Sequence, residues 1–188
     1  MSKQMTVAIA GLGSRGRDTY AKAAKIYPDK MKIVAIADID PEKVKLTAEE
    51  YDVPMSHCYE SAEDMLKEEK LADVMIIATQ DRQHVVQAIK ALKKGYHLLL
   101  EKPISPDLGE CRKISEVAKE CKREVVVCHV LRYTPIYQKV KEILDAGTIG
   151  DVISIMAIEN VGWFHQAHSF VRGNWANSDE TSPMILQK

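Results

Sequence analysis

The segment that most restricts the fold is a short apolar strand followed at once by a glycine-rich turn. We predict a strand over 6–10, then the pattern G-x-G-x-x-G that starts at Gly11, then a helix over 17–26. This order of strand, glycine turn and helix is the context in which the pattern indicates a dinucleotide-binding βαβ unit. Gly11 would permit the tight turn, Gly13 would let a pyrophosphate approach the backbone, and Gly16 would let the helix pack closely on the strand.

A carboxylate follows the second predicted strand at the spacing that such a unit requires. Residues 32–37 form an apolar run that Asp38 closes, about 20 positions after Gly16, where a carboxylate can bind the adenosine ribose. The alternative is a glycine-rich turn of some other α/β protein. Because both signals are present, dinucleotide binding is the favoured interpretation, with the phosphates at a helix N-terminus.

Strands and helices alternate as far as residue 129. Apolar runs without strict alternation, such as 73–79, are typical of parallel strands that are buried on both faces. Asp40-Pro41 and the Ser61 to Asp64 capping pattern predict helix starts. Further strands are predicted near 57–59 and over 97–101 and 124–129, with further helices over about 40–51, 83–94 and 107–121. This alternation predicts an α/β fold with a doubly wound parallel sheet, the Rossmann arrangement.

The pattern changes after residue 129. We predict a helix over 137–146, a strand over 152–158, and then a loop rich in tryptophan and asparagine. We therefore expect a dinucleotide-binding domain over 1–130 and the beginning of an incomplete second α/β domain over 131–188. Because a lone strand lacks partners, we expect self-association through its edge and hence a homo-oligomer.

Composition excludes several classes of protein. The chain has 188 residues, 46% of them hydrophobic and 28% charged, with a net charge of −1, as in soluble globular proteins. Near-neutral charge argues against nucleic acid or an anionic membrane as the main partner. No apolar run approaches the ~20 residues of a membrane span, and we expect no signal peptide because the predicted first strand begins within a few residues of Met1. The four cysteines lack C-x-x-C spacing, so we expect a cytoplasmic protein.

A second informative triplet, Glu101-Lys102-Pro103, ends the fifth predicted strand. Ligands of open α/β sheets bind at the carboxyl ends of the strands, where Lys102 can approach a nicotinamide or a substrate oxygen. From spacing alone, a solvated lysine before a proline turn is an equal alternative. The sequence does not decide whether the peptide bond before Pro103 is cis.

With these motifs in order, the chain resembles the glucose–fructose oxidoreductase / inositol dehydrogenase superfamily. The resemblance implies an N-terminal Rossmann domain, a C-terminal α/β domain built on a mostly antiparallel sheet, and binding of NAD or NADP. It also implies oxidation or reduction of a ring hydroxyl or ketone on a sugar, cyclitol or related polyol. The matching segments are Gly11 to Gly16, Ala37-Asp38, Ala78-Thr79 with His84, Gly95, Glu101-Lys102-Pro103, Arg132-Tyr133 with Pro135, and Gly147 to Asp151.

The same resemblance implies roles for individual residues. Lys102 would be the catalytic residue that stabilises the substrate oxygen. The implied cofactor-binding residues are Gly11, Leu12, Gly13, Ser14, Arg15, Gly16, Asp38, Thr79, Gln80, His84, Glu101, Lys102 and Arg132. The family's general base is a histidine on a helix of the second domain, with an aspartate shortly before it. Residues 181–188 resemble the approach to that helix but hold neither residue, so the base is expected beyond the chain end and this chain alone is expected to be inactive.

The remaining candidates carry weaker signals. His168, Arg172 and Trp175 are candidate substrate residues. His165 and His168 have a possible ligand spacing, but no cysteine or carboxylate lies close by in the sequence, so no metal is predicted. NAD is favoured over NADP because Asp38 would repel a 2′-phosphate. A dinucleotide-binding module without turnover, or a glycosidase that uses NAD transiently, remain as alternatives.

Overall fold

A computed structural model describes residues 4–187. Residues 1–3, on which the expected absence of a signal peptide depends, and Lys188 lie outside the described residues. Six strands form one all-parallel sheet in the order β3-β2-β1-β4-β5-β6, which confirms the predicted doubly wound α/β fold. The strands are β1 Met5–Ala10, β2 Met31–Ala37, β3 Cys58–Tyr59, β4 Val74–Ile77, β5 His97–Leu100 and β6 Val125–Val127.

The strand order reverses between β2 and β4, on either side of the central strand β1. In open α/β sheets, ligands bind at such a switch point, outside the carboxyl ends of the strands. The helices are α1 Lys22–Ile26, α2 Pro41–Tyr51, α3 Ala62–Met65, α4 His84–Lys93, α5 Leu108–Cys121, α6 Pro135–Asp145, α7 Trp163–His165 and α8 Met184–Gln187.

The core lies on both faces of the sheet. Val7 and Ile9 of β1 face one side and pack in a cluster with Val44 of α2. Ala8 and Ala10 face the other side, in a cluster that includes residues of α4 and α5. Because both faces of β1 are covered, its side chains are apolar without alternation, as the sequence pattern predicted.

Side-chain caps set the beginnings of two of the helices. Asp40 accepts hydrogen bonds from the N–H groups of Glu42 and Lys43, and Pro41 occupies the first turn of α2. The hydrogen bond from the N–H of Lys43 lowers the pKa of Asp40, and so do those from the Lys43 side chain and the N–H of Glu42. Asp107 caps α5 in the same way, with its carboxylate 2.8 Å from the N–H of Glu110. The sequence predicted helices that begin at both of these positions.

The predicted helix over 17–26 is present but irregular. Gly16–Ala21 forms a π-helix, in which the N–H of Tyr20 donates to the carbonyl of Arg15 at 2.9 Å, and the regular α1 follows. The sequence period does not distinguish the two helix types over so short a run. Single π-helical turns of this kind often lie at functional sites.

The prediction of a strand over 152–158 is wrong. This segment has no regular backbone pairing, and Ile153, Ile155 and Met156 are each more than 80% exposed. Within residues 4–187 no neighbouring strand offers its N–H and C=O groups to this segment, so strand propensity alone does not form a ladder. After β6, the described part of the chain therefore contains helices and loops but no strand. None of the described helices is long and apolar enough to cross a membrane.

Candidate cofactor-binding site

A cleft of about 750 Å³ opens at the carboxyl ends of β1, β2, β4 and β5. It brings together predicted site residues from five separate segments of the sequence. Those that line it are Gly11, Gly13, Ser14, Arg15, Asp38, Thr79, Gln80, His84, Glu101, Lys102 and Trp175. The position is the switch point of the sheet, where the strand order locates a ligand site.

The glycine turn leaves open space at one of its three glycines. Gly11 has φ = 89°, and a Cβ there would overlap the backbone of Ala78. A Cβ at Gly16 would overlap the carbonyl group of Gly11. The turn and the helix can therefore lie this close together only because both positions are glycine. At Gly13, by contrast, a Cβ would meet nothing within 4 Å. This open backbone at a helix start fits a pyrophosphate.

Asp38 is held against the glycine turn by hydrogen bonds. Its Oδ2 accepts from the N–H of Leu12 at 2.5 Å, and its Oδ1 accepts from the N–H of Asp40 at 2.9 Å. Leu12 is buried and does not line the cleft; its backbone instead orients the carboxylate. A hydrogen bond therefore links the glycine turn directly to Asp38, the two parts of the sequence motif.

A buried polar network supports Thr79 from below. The hydroxyl of Thr79 donates to Oε1 of Gln87 at 2.6 Å, and Nε2 of Gln87 donates to Glu63 at 3.1 Å and to Gln83 at 3.2 Å. Gln87 is fully buried and lines the cleft. Sequence reasoning missed it, although an amide on the otherwise apolar face of α4 was an available signal.

His84 joins two strand ends rather than presenting a nitrogen to the cleft. Its Nδ1 lies 2.9 Å from the carbonyl oxygen of Pro103, and its Nε2 lies 3.1 Å from that of Thr79. The side chain is 1% exposed. Both ring nitrogens therefore face acceptors of the protein backbone.

Glu101 lies at the centre of a second polar group. One carboxylate oxygen accepts from the hydroxyl of Tyr20 and lies 3.6 Å from Nε of Arg15; the other accepts from the N–H of Lys102 at 3.0 Å. Burial, followed by hydrogen bonding with Cys128 and Glu101, raises the pKa of Tyr20, so the phenol remains a donor. Tyr20 was missed because only its place on the first helix marks it. The peptide bond between Lys102 and Pro103 is cis.

The far side of the cleft is formed by residues that follow α6, which we call the C-terminal wall. Its lining residues are His165, Ser169, Phe170, Asn174 and Trp175. Nδ1 of His165 lies 3.0 Å from the hydroxyl of Ser169. Among residues 4–187, no group of three or more His, Cys, Asp or Glu side chains could hold a metal ion.

Besides Leu12 and Gly16, three predicted site residues do not line the cleft. Arg132 is exposed in the 3₁₀ turn Val130–Tyr133, which follows the edge strand β6 and so lies beyond the switch point. The ring of His168 stacks on that of Phe164, with the ring centroids 4.0 Å apart, and the residue does not line the cleft. Arg172 is exposed at the end of the same helical segment. Sequence spacing could not reveal these orientations.

The polar groups of the cleft fit a dinucleotide. Oε1 of Gln80 is buried and makes no hydrogen bond within the described chain, so a ligand N–H or hydroxyl can supply one. Lys43, which the sequence reasoning also missed, lines the cleft near Asp38, with its ammonium 3.3 Å from Asp40. Open backbone, an oriented carboxylate and an unused acceptor are the groups that phosphates, a ribose and an amide require.

Comparison with known proteins supports the same assignment. The model of the oxidoreductase family with an NAD-binding Rossmann fold matches residues 5–129. Inositol 2-dehydrogenase of Salmonella typhimurium is 26% identical over 148 residues, which is 78% of this chain and 43% of that protein.

Two solved structures show the likeness in three dimensions. Myo-inositol 2-dehydrogenase of Lactobacillus plantarum superposes with a TM-score of 0.70 at 26% identity, over 80% of this chain and 44% of that one. Scyllo-inositol dehydrogenase of Lactobacillus casei, with bound NAD(H) and scyllo-inositol, gives 0.69 at 25% identity, over 79% and 43%. The chain thus spans less than half the length of these relatives. The family match covers more than half of the chain, which therefore belongs to the oxidoreductase family with an NAD-binding Rossmann fold.

Proposed function

We propose that this chain is the cofactor-binding part of an NAD-dependent oxidoreductase that transfers a hydride between nicotinamide and a ring carbon of a sugar, cyclitol or related polyol. The observation that carries the proposal is the single cleft in which the glycine turn, Asp38 and Lys102 meet. The similarity to inositol dehydrogenases supports the substrate class.

Each part of the cleft has a distinct binding role in this proposal. The glycine turn would hold the pyrophosphate, Asp38 the hydroxyls of the adenosine ribose, and Glu101 the nicotinamide ribose. Thr79 and Gln80 would contact the cofactor between these points. The nicotinamide, when bound, supplies hydride acceptor and donor chemistry. The protein orients the reacting carbon toward it and excludes water.

Lys102 would stabilise the substrate oxygen. An ammonium group at the strand end, beside a cleft wall, favours the negative charge that develops on an oxygen as its proton leaves. The adjacent Glu101 carboxylate is already engaged by Tyr20 and by the N–H of Lys102. Glu101 therefore acts in this proposal as a hydrogen-bond acceptor that holds Tyr20 and Lys102, and not as the general base.

We place the general base outside these 188 residues. His84 lines the cleft, but both its ring nitrogens face backbone carbonyl oxygens, so it offers no lone pair to a substrate hydroxyl. His165 is the other cleft histidine among the described residues, with its Nδ1 against Ser169. Loss of a positioned base costs roughly 10²–10⁴-fold in rate, so we expect cofactor binding without turnover.

The test compares this chain with one extended through the following helix. Both are titrated with NADH and assayed with NAD against inositols and aldoses. We expect both to bind NADH and only the extended chain to reduce NAD. Equal turnover would place the base within residues 1–188 and make His165 the first suspect. Binding without turnover in both would favour a non-catalytic dinucleotide-binding module.

We also propose that NAD is preferred over NADP. A 2′-phosphate would lie against the Asp38 carboxylate, which the N–H groups of Leu12 and Asp40 hold in place. Lys43 could attract such a phosphate, but its ammonium lies beside Asp40.

Asp38→Ala should weaken NADH binding and reduce the difference in affinity between NADH and NADPH, both measured by fluorescence titration. Asp29→Ala, at the opposite end of β2, is the control; tighter binding of NADPH to the wild type would refute the preference.

A further inference from the structure

The chain returns to the Rossmann unit close to its last described residues. The N–H of Ser182 donates to Oδ2 of Asp81 at 2.7 Å. Nη2 of Arg82 donates to the carbonyl oxygens of Ser178 at 3.1 Å and of Thr181 at 3.3 Å. We call residues 177–182 the anchored segment. These bonds connect parts of the chain that lie about a hundred residues apart in sequence.

Burial is concentrated at this contact. Asp81 is 3% exposed, and Thr181 and Ser182 are also buried, whereas most residues between 150 and 180 are exposed. The second oxygen of Asp81 accepts from the N–H of Arg82 at 3.0 Å, which fixes the carboxylate. A buried carboxylate that accepts a backbone N–H on each oxygen is a specific point of attachment, because these hydrogen bonds offset the cost of burying its charge.

The contact lies where the two sides of the cleft meet. Asp81 lines the Rossmann side together with Thr79 and Gln80, which directly precede it. The anchored segment begins two residues after Trp175, which with Asn174 lines the C-terminal wall. Arg82 does not line the cleft, so we expect its side chain to act on a bound dinucleotide through the segment that it holds rather than by direct contact.

We propose that Asp81 and Arg82 are positioning residues that fix the C-terminal wall over the bound dinucleotide. The inference rests on the proposed cofactor site. The wall contributes contacts and shields the cleft only while the anchored segment is attached to the Rossmann unit. Release of the segment adds open conformations, and the apparent affinity falls in proportion to the fraction of closed protein.

The test uses the 188-residue chain with Arg82→Ala, Arg82→Lys and Asp81→Asn, and with Arg112→Ala on the exposed face of α5 as the matched control. Two quantities are measured: hydrogen exchange of 166–187 without cofactor, and the Kd for NADH. Arg82 is exposed, so its replacement leaves the sheet core intact. Thermal unfolding of each variant checks this directly.

We expect Arg82→Ala to accelerate exchange over 166–187 and to raise the Kd for NADH about tenfold, with an unchanged pattern in the sheet. Arg82→Lys should bind NADH more tightly than Arg82→Ala does, since the lysine ammonium can still donate a hydrogen bond. Asp81→Asn should act in the same direction, and Arg112→Ala should match the wild type. Unchanged exchange, or faster exchange with an unchanged Kd, would overturn the inference. A wild type that does not bind NADH would instead refute the proposed function.

Discussion

Gly13 and Gly16 belong to the same turn, but a methyl group at each would meet different surroundings. At Gly13 there is open space, and at Gly16 the carbonyl group of Gly11 lies in the way. We expect Gly13→Ala to fold like the wild type and to weaken NADH binding, because its methyl group occupies the space left for the pyrophosphate. We expect Gly16→Ala to lower the free energy of unfolding by roughly 1–3 kcal/mol, as overpacked sites do.

Urea unfolding and NADH titration of both glycine variants separate the two effects. Each variant serves as the other's control, since the change in side chain is the same. A Gly13→Ala variant that binds NADH like the wild type would show that the pyrophosphate lies elsewhere.

Tyr20 gives a prediction about pH dependence. Folding raises the pKa of this phenol above its ordinary value of 10.0, first through burial and then through hydrogen bonds with Cys128 and Glu101. Above that value the unfolded chain loses the proton first. The stabilisation from Tyr20 is therefore complete below pH 10 and is lost as the pH rises toward the folded-state pKa.

Tyr20→Phe removes both the hydrogen bond to Glu101 and this titration. At neutral pH we expect a loss of about 1 kcal/mol in the free energy of unfolding. The difference between wild type and Tyr20→Phe should stay constant up to about pH 9 and shrink as the pH rises above about 10. Urea unfolding across that range measures it, with Tyr27→Phe at an exposed position as the control. A constant difference would mean that Tyr20 ionises as readily in the folded chain as in the unfolded one.

Among the elements, the segment over 152–158 departs most from expectation. Its apolar side chains are exposed, and α6 likewise buries no residue. Exposed apolar stretches of this kind favour association. We predict that the chain self-associates through this segment, with a second copy covering Ile153 and Ile155.

The double substitution Ile153→Lys and Ile155→Lys should shift the chain toward monomer in sedimentation velocity experiments. Glu159→Gln, at an exposed position nearby, removes a negative charge and tests whether a more positive net charge alone has the same effect. A wild type that sediments as a monomer at all concentrations would refute the prediction.

For the whole molecule, burial suggests where an independent folding unit ends. Every buried hydrophobic residue of the described chain lies between Val7 and Cys128. We therefore propose that residues 1–130 form the dinucleotide-binding domain and that 131–188 belong to a second domain. We predict that a chain ending at residue 130 keeps a cooperative thermal transition.

Circular dichroism would measure that transition in both chains. We expect the Tm of the shorter chain to lie within about 5 °C of the full chain, since the sheet and both core clusters are retained. We expect it to bind NADH more weakly, because the C-terminal wall is absent. Loss of the transition would mean that the later residues are required for folding.

The sequence determined the sheet and much of the cleft. Strand and helix periods, the glycine turn and the spacing to Asp38 are local or nearly local signals, since each follows from backbone sterics and burial of short segments. The parallel order then brings the carboxyl ends of β1, β2, β4 and β5 together. For this reason Thr79, Glu101 and Lys102 were expected at the same edge of the sheet.

Only the tertiary structure decided which distant groups face one another. The partnership of Tyr20 with Glu101, the support of Thr79 by Gln87 and the attachment of Ser182 to Asp81 depend on side-chain directions that no sequence period records. The same holds for the exclusion of Arg132 and His168 from the cleft. In the segment 152–158 a local signal predicted a strand that the structure lacks. A strand needs neighbouring strands for its hydrogen bonds, and the residues of the segment cannot supply them.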